Sequence, residues 1–280
     1  MRAVNGVRKS CASVARACAE GARRVLPAVV TGVWSAVDLL FPPHCLACGG
    51  DIAKADDDIL LCENCVAEFS AVAPYGRCEK CAAPRVGGPA FMSGDRPLPP
   101  PPCVYCRRRQ YRFDSTWTLG DYQDGLRDVV LRMKRSANEA LSVQMGRLVA
   151  ARLQDEGWGD RCDVVAPLPS HWWRRWWRGT SSPELLAREI AARLEKPFDG
   201  RLLRCRRRTR KQGTLSPDER LKNVKGAFQT RRSLRASRPR VLLVDDVMTT
   251  GATASEAARA LLRAGARRVS VAVVARGTGR

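Results

Sequence analysis

Val241-Leu-Leu-Val-Asp-Asp-Val-Met-Thr-Thr-Gly-Ala-Thr253 places a buried strand, two carboxylates and a small-residue loop end to end. Val241 to Val244 are apolar without alternation, which fits a parallel strand covered on both faces. Ligands of open α/β sheets sit beyond the carboxyl ends of the strands, where Asp245 and Asp246 fall. Adjacent side chains on a strand diverge, so the two acids can receive different hydroxyls. Thr249, Thr250, Gly251 and Thr253 then lead into a predicted helix, whose N-terminal N–H groups attract an anion. Gly251 removes the Cβ that would block close approach. The loop is not a Walker loop, because Gly-Lys-Ser/Thr is missing. A plain strand, an Asp-rich turn and a Thr cap would account for each part, but not for their conjunction.

Working outward, Asp163-Val-Val-Ala-Pro-Leu-Pro-Ser170 reads as a second buried strand, stopped by prolines that cannot continue a ladder. The pattern predicts an edge strand at Tyr111–Asp121, mostly helix over Gly125–Glu156, and a central strand at Asp163–Leu168. A helix at Pro183–Leu194, capped by serines, precedes a strand near Phe198–Leu203, a basic hairpin over Arg204–Lys225 and Gly226–Thr230. Strands at Arg240–Val247 and Arg268–Arg276 flank the helix Thr253–Ala264, which Gly265 ends. Strands alternating with helices give an α/β class, a Rossmann-like parallel sheet flanked by helices.

Four Cys-x-x-Cys pairs, Cys45/Cys48, Cys62/Cys65, Cys78/Cys81 and Cys103/Cys106, supply eight thiolates for two tetrahedral zinc sites of four cysteines each. Sequential pairing groups the first four and the last four; interleaved pairing stays open on spacing alone. Gly49, Gly50 and Ala82 follow the knuckles, and the Gly/Pro-rich Gly87–Pro102 must loop inside the second site. Disulfides or a redox motif would not use four pairs so evenly. A module of this size has little core of its own, so metal supplies most of its folding energy. Cys162 reads as a small core hydrophobe.

The division is then residues 1–43 as a basic, amphipathic helical segment, 44–110 as a double zinc ribbon, and 111–280 as the α/β domain. Arginines recurring through Arg24 argue against a signal peptide, and the apolar run Val25–Phe41 contains Pro27 and Asp38 and is too short to span a bilayer. Packing on the main domain is preferred for it, with peripheral membrane contact through residues 25–41 as the alternative. A cytoplasmic location follows, on the inner face of the plasma membrane in the alternative.

Net charge is +21, and His171–Arg240 holds twenty-one Lys or Arg against six Asp or Glu, leaving +15 there. Polyanions are the expected partners. Within it, Trp172, Trp173, Trp176 and Trp177 share one helical face while Arg174, Arg175 and Arg178 take the other. Core packing is the first reading of the indoles; stacking on bases of single-stranded DNA is the second.

The segment Val241–Thr253 resembles the phosphoribosyl-pyrophosphate (PRPP) signature of type I phosphoribosyltransferases. That resemblance implies that Asp245 and Asp246 contact the ribose hydroxyls. It assigns the 5′-phosphate to Val247, Met248, Thr249, Thr250, Gly251, Ala252 and Thr253, and the pyrophosphate to Leu168, Pro169 and Ser170. Phe41-Pro-Pro-x-Cys45, Pro167-x-Pro169 with Arg178-Gly179, Thr209-x-x-Gln212 and Leu215-Ser-x-x-x-Arg220-x-x-Asn223-Val-x-Gly-Ala-Phe228, in this order, resemble the narrower ComF family. The family's Phe-Asn-Gln is replaced here by Thr180-Ser181-Ser182, and the four tryptophans stand where arginines are usual. ComF resemblance implies structural Zn2+, Mg2+ with PRPP, and a link to imported single-stranded DNA and the DNA-uptake machinery. It also makes Arg207, Gln212, Arg220 and Asn223 candidates on a closing basic hairpin, with Arg207 and Arg220 catalytic beside the aspartates. Two functions remain in play: a phosphoribosyltransferase, or a non-catalytic nucleic-acid-binding scaffold with a regulatory or vestigial PRPP pocket.

Overall fold

The computed structural model describes residues 43–52, 59–70, 73, 76–85, 92–93, 96–97, 103–107, 109–169, 181–207 and 217–278. The expectations for the N-terminal segment 1–42, Ser170, the tryptophan-arginine run 172–178 and Gln212 lie outside these residues.

The ribbon region contributes α1 (Glu63–Phe69), an antiparallel pair β1 (Met92–Ser93) and β2 (Arg96–Pro97), and the turn α2 (Val104–Arg107). There follow β3 (Ser115–Asp121), α3 (Asp124–Met133), α4 (Glu139–Asp155), β4 (Val164–Pro167) and α5 (Ser182–Arg193). The chain continues through β5 (Leu203–Cys205), α6 (Pro217–Val224), β6 (Phe228–Thr230), β7 (Arg240–Met248), α7 (Ala252–Ala264) and β8 (Arg268–Arg276). The main sheet runs β3-β8-β7-β4 with every pair parallel. Both faces are covered, as the unbroken apolar runs require. Leu242, Val244, Ala272 and Val274 share a buried cluster with Val130, Leu148 and Ile190 of α3, α4 and α5. Val241, Leu243, Val271 and Val273 share the opposite one with Ala257, Ala258 and Leu261 of α7. Cys162 is buried among apolar neighbours.

Four expectations change. The stretch Phe198–Leu203 is not one strand: Phe198 makes a single parallel bridge to Val165, and the Asp199 carboxylate accepts the Arg201 N–H at 3.0 Å. That local bond turns the chain away, into an antiparallel ribbon of β5 with β6. β4 therefore closes the four-stranded sheet instead of lying at its centre, and the basic hairpin carries α6 between its strands. Ser181 holds the N-cap position of α5 without a side-chain cap. The Ser182 hydroxyl donates instead to the Met133 carbonyl at 2.7 Å, tying the end of α3 to the start of α5.

Both ribbons are docked on the sheet domain. Arg132 of α3 donates to the carbonyls of Leu46, at 2.6 Å, and Ala47; Gln144 Oε1 accepts the Leu60 N–H at 2.9 Å, and Glu68 accepts that of Gly125 at 3.0 Å. Cys45, Leu61, Cys65 and Phe69 lie in one buried cluster with Leu126, Val129 and Met133. The second ribbon lies along β3, where Thr116 donates its N–H to Glu79 O at 2.9 Å and its hydroxyl to Lys80 O at 2.8 Å. Covering this edge removes a free template for strand pairing. Among the described residues no helix is long and apolar enough to cross a membrane.

Gly120, near the end of β3, sits where the first ribbon comes closest: a Cβ there would lie 2.6 Å from the Phe69 carbonyl and 2.9 Å from a Leu126 methyl. Gly120→Ala should cost about 1–3 kcal/mol by overpacking. Thermal unfolding measures the loss, and limited proteolysis should show the region around Phe69 cleaved first.

Candidate functional site

The sulfurs of Cys45, Cys48, Cys62 and Cys65 lie within 4.8 Å of one another, as do those of Cys78, Cys81, Cys103 and Cys106. Pairing is thus sequential. Cys48–Cys62, Cys78–Cys106 and Cys81–Cys103 are separated by 3.7, 3.8 and 3.6 Å. A regular tetrahedron with Zn–S of about 2.3 Å has sulfurs about 3.8 Å apart, so the donor set fits zinc. The first knuckle of each ribbon closes alike: Gly49 N–H to Cys45 O and Ala82 N–H to Cys78 O, both 2.7 Å. Gly49 and Ala82 have φ of 80° and 53°, the compact turn their positions demand. Burial pushes the Cys81 thiol up to about 11. Burial and then the neighbouring sulfurs push Cys65 and Cys106 well above the ordinary thiol range. A bound divalent cation removes that opposition to four thiolates. His44 pairs with Asp51 at 2.9 Å and stays outside the ligand set.

The crevice lies at the carboxyl edge of the sheet. β4 stops at Pro167, opposite Val244, and the Leu168 N–H makes the last bond to the Val244 carbonyl at 2.8 Å. β7 runs on to Met248 along β8, so Asp245–Met248 are paired on one side and open toward the Leu168–Pro169 turn on the other. Asp245 and Asp246 accordingly belong to the strand itself, past the end of its neighbour. Each carboxylate accepts the next backbone N–H, that of Asp246 at 2.9 Å and that of Val247 at 2.7 Å. Lys134, just beyond α3, reaches Asp246 at 3.4 Å. Burial, and then the adjacent Asp246 carboxylate, hold Asp245 well above the usual carboxylate range.

Past Met248 the chain turns through Gly251, whose φ of 71° places it at the N-cap of α7, and the Thr250 hydroxyl accepts the Ala252 N–H at 3.3 Å. Gly251 also has to lack a Cβ, which would meet the Tyr111 ring at 2.7 Å. The loop Met248–Thr253 thus runs from the end of β7 into the start of α7, directly after the two carboxylates in the chain. The structure brings Leu168, Pro169, Asp245, Asp246 and Val247–Thr253 to one sheet edge.

The described hairpin candidates lie just past β5 and on α6. Arg207 donates to the Lys225 carbonyl at 2.7 Å, closing the base of its own hairpin, while Arg220 and Asn223 fall on α6. Glu256 of α7 accepts the Gly226 N–H at 2.6 Å and fixes that base to the helix beside the loop. Sequence reading missed Lys134, Arg109 and Arg276. Lys134 follows an amphipathic helix that could end anywhere on the surface, and the two arginines are lost among many.

Residues 36–96 match the double zinc ribbon domain and residues 184–280 the phosphoribosyl transferase domain. The DNA utilization protein YhgH of Escherichia coli K12 is 32% identical over 202 residues, 70% of this chain and 84% of that one. Competence protein F of Haemophilus influenzae is 25% identical over 241 residues, 83% of this chain and 96% of the other. Among solved structures, the allosteric regulatory enzyme of purine biosynthesis aligns with a TM-score of 0.33 at 21% identity, over 48% of this chain and 26% of that enzyme.

Because the Asp245 carboxyl is raised in the folded chain, ionising it opposes folding; the cost is absent below the unfolded carboxyl pKa and complete above the folded one. Asp245→Asn should therefore raise the unfolding temperature of ligand-free protein, more at pH 8.5 than near pH 4, where the unfolded carboxyl itself is largely protonated. Equal melting of parent and variant at pH 8.5 would contradict the charge conflict. A ribbon pair ahead of a parallel sheet, and 32% identity across most of two chains, establish that this protein belongs to the ComF family.

Proposed function

We propose that this chain binds Mg2+-bound PRPP in the crevice between Leu168–Pro169 and Asp245–Thr253 and transfers its phosphoribosyl group to a nitrogen nucleophile. The observation that carries the reading is the open edge of β7, where two carboxylates adjoin a helix-entry loop. Asp245 and Asp246 would receive the ribose hydroxyls, and the loop Val247–Thr253 would hold the 5′-phosphate. The Leu168–Ser170 turn would receive the pyrophosphate. Mg2+ arriving with PRPP supplies charge neutralisation on that leaving group. In the transfer, the bond from C1 to the pyrophosphate oxygen breaks as the C1–N bond forms, and the nucleophile loses its proton. Arg207 and Arg220 on the basic hairpin would add positive charge as the pyrophosphate departs.

The nucleic-acid arm of the proposal rests on charge. The region from 171 to 240 carries +15, and Arg204, Arg206, Arg231, Arg232, Arg235 and Arg238 are exposed. Such a surface suits a single-stranded polyanion. The relatives named for competence and DNA utilization support a role in handling imported single-stranded DNA.

Calorimetric titration of Mg2+-PRPP into zinc-loaded protein should give saturable binding that Asp245→Ala/Asp246→Ala abolishes in a folded chain. No binding to the parent would remove the transferase reading and leave a nucleic-acid-binding scaffold. Fluorescence anisotropy with a labelled single-stranded oligonucleotide should show affinity falling roughly tenfold or more between about 50 and 200 mM salt. A salt-independent affinity, or none, would remove the DNA arm.

A further inference from the structure

Arg276, the last residue of β8, is 1% exposed, the largest of the fully buried side chains among the described residues. Burying a guanidinium is costly unless its donors are met. Here Nε and Nη1 are met by carbonyls on two different parts of the molecule. Nε donates to the Cys81 carbonyl at 2.7 Å, within the second metal cluster. Nη1 donates to the carbonyls of Met248, at 2.9 Å, and of Thr249 and Gly277. The guanidinium also lies 5.7 Å from the ring centre of Tyr105, between Cys103 and Cys106. A second arginine acts in the same direction: Arg109, three residues past Cys106, donates to the Thr250 carbonyl at 2.8 Å.

Peptide geometry turns these bonds into an orientation of the loop. In a trans peptide the N–H points opposite to the C=O of the preceding residue, and no cis bonds occur among the described residues. Drawing the carbonyls of Met248, Thr249 and Thr250 toward Arg276 and Arg109 therefore aims the N–H groups of Thr249, Thr250 and Gly251 the other way. That is a row of donors of the kind that holds an anion. On the metal side the same logic applies: the Cys81 carbonyl shares its peptide with the Ala82 N–H, which closes the knuckle on Cys78 O at 2.7 Å. Four thiolates around Zn2+ also leave a net negative charge, which offsets the positive charge of a buried guanidinium beside them.

We propose that Arg276 and Arg109 are positioning residues that couple the second zinc cluster to the phosphate loop. Metal at Cys78, Cys81, Cys103 and Cys106 sets the knuckle, the knuckle sets Arg276, and the arginines set the donors of Thr249–Gly251. Linkage is reciprocal, so a phosphorylated sugar in the loop must hold zinc in the second cluster, and leave the first cluster indifferent. This rests on the phosphate-loop reading above.

The test starts with the parent protein. Ribose 5-phosphate and Mg2+-PRPP are titrated by calorimetry; if neither binds, the phosphate-loop reading fails and the coupling with it. With binding established, zinc is stripped by a chromogenic chelator in the presence and absence of saturating Mg2+-PRPP, and newly freed thiols are alkylated and mapped by mass spectrometry. The ligand should slow alkylation of Cys78, Cys81, Cys103 and Cys106 several-fold and leave Cys45, Cys48, Cys62 and Cys65 unchanged. Equal rates, or equal slowing of both clusters, would overturn the coupling. Arg109→Met, at a partly exposed position, should retain both zinc ions and bind ribose 5-phosphate at least tenfold more weakly. Arg276→Met should do the same or worse. Unchanged affinity in an Arg109→Met protein with both zinc ions would overturn the role assigned to that residue; should Arg276→Met fail to fold, the alkylation experiment on the parent decides.

Discussion

The site depends on where β4 stops. Pro167 pairs with Val244 and nothing in β4 pairs beyond it, because the Pro-Leu-Pro turn offers a single N–H, at Leu168. β7 continues for four more residues with β8 as its only ladder partner among the described residues. The segment Asp245–Met248 is therefore rigid along one side and open along the other. A longer β4 would satisfy that open backbone and close the crevice. The rule that ligands of open sheets bind beyond the strand ends here reduces to one local event, the loss of ladder donors at two prolines.

The ribbons cannot be treated as appendages. The first shares a buried cluster with α3 and α4, and the second shares one with β7, β8 and α7, so the two modules grip opposite faces of one sheet. Burying a large apolar side chain contributes about 1.5–3 kcal/mol, whereas a structural zinc contributes about 10–16 kcal/mol of folding free energy in small modules. Metal thus fixes the shape of each ribbon, and the apolar contacts fix its place. The second ribbon also covers the sheet's outer edge, since its Glu79 and Lys80 carbonyls take the N–H and the hydroxyl of Thr116 in β3.

What was legible in the sequence follows from range. The run of β7, the bounds of β8 and the four cysteine pairs are local patterns, and each is where spacing and periodicity put it. The sulfur grouping needed three dimensions, because sequential and interleaved pairing have the same local signature. The strand foreseen near Phe198–Leu203 failed on one side-chain bond, Asp199 to the Arg201 N–H, which competes with a ladder. The serines before α5 read as caps, but Ser182 spends its hydroxyl on Met133, 49 residues away. Lys134 at Asp246 and Arg276 at Cys81 are 112 and 195 positions from their partners, and nothing in a charge-rich sequence distinguishes them.

Charge then separates two kinds of anion on the proposed reading. A chain at +21 draws polyanions over its whole surface, yet the crevice opens on two adjacent carboxylates with only Lys134 paired to them among the described contacts. On that reading phosphate groups go to the loop and the proline turn on either side, and a neutral group with hydroxyls to donate suits the space between. A ribose with free 2′- and 3′-hydroxyls meets that condition. A DNA strand does not, because its sugar lacks the 2′-hydroxyl and its 3′-oxygen is esterified. Sugar phosphate and single-stranded DNA would therefore occupy separate surfaces, the first in the acidic crevice and the second along the arginine-rich flank.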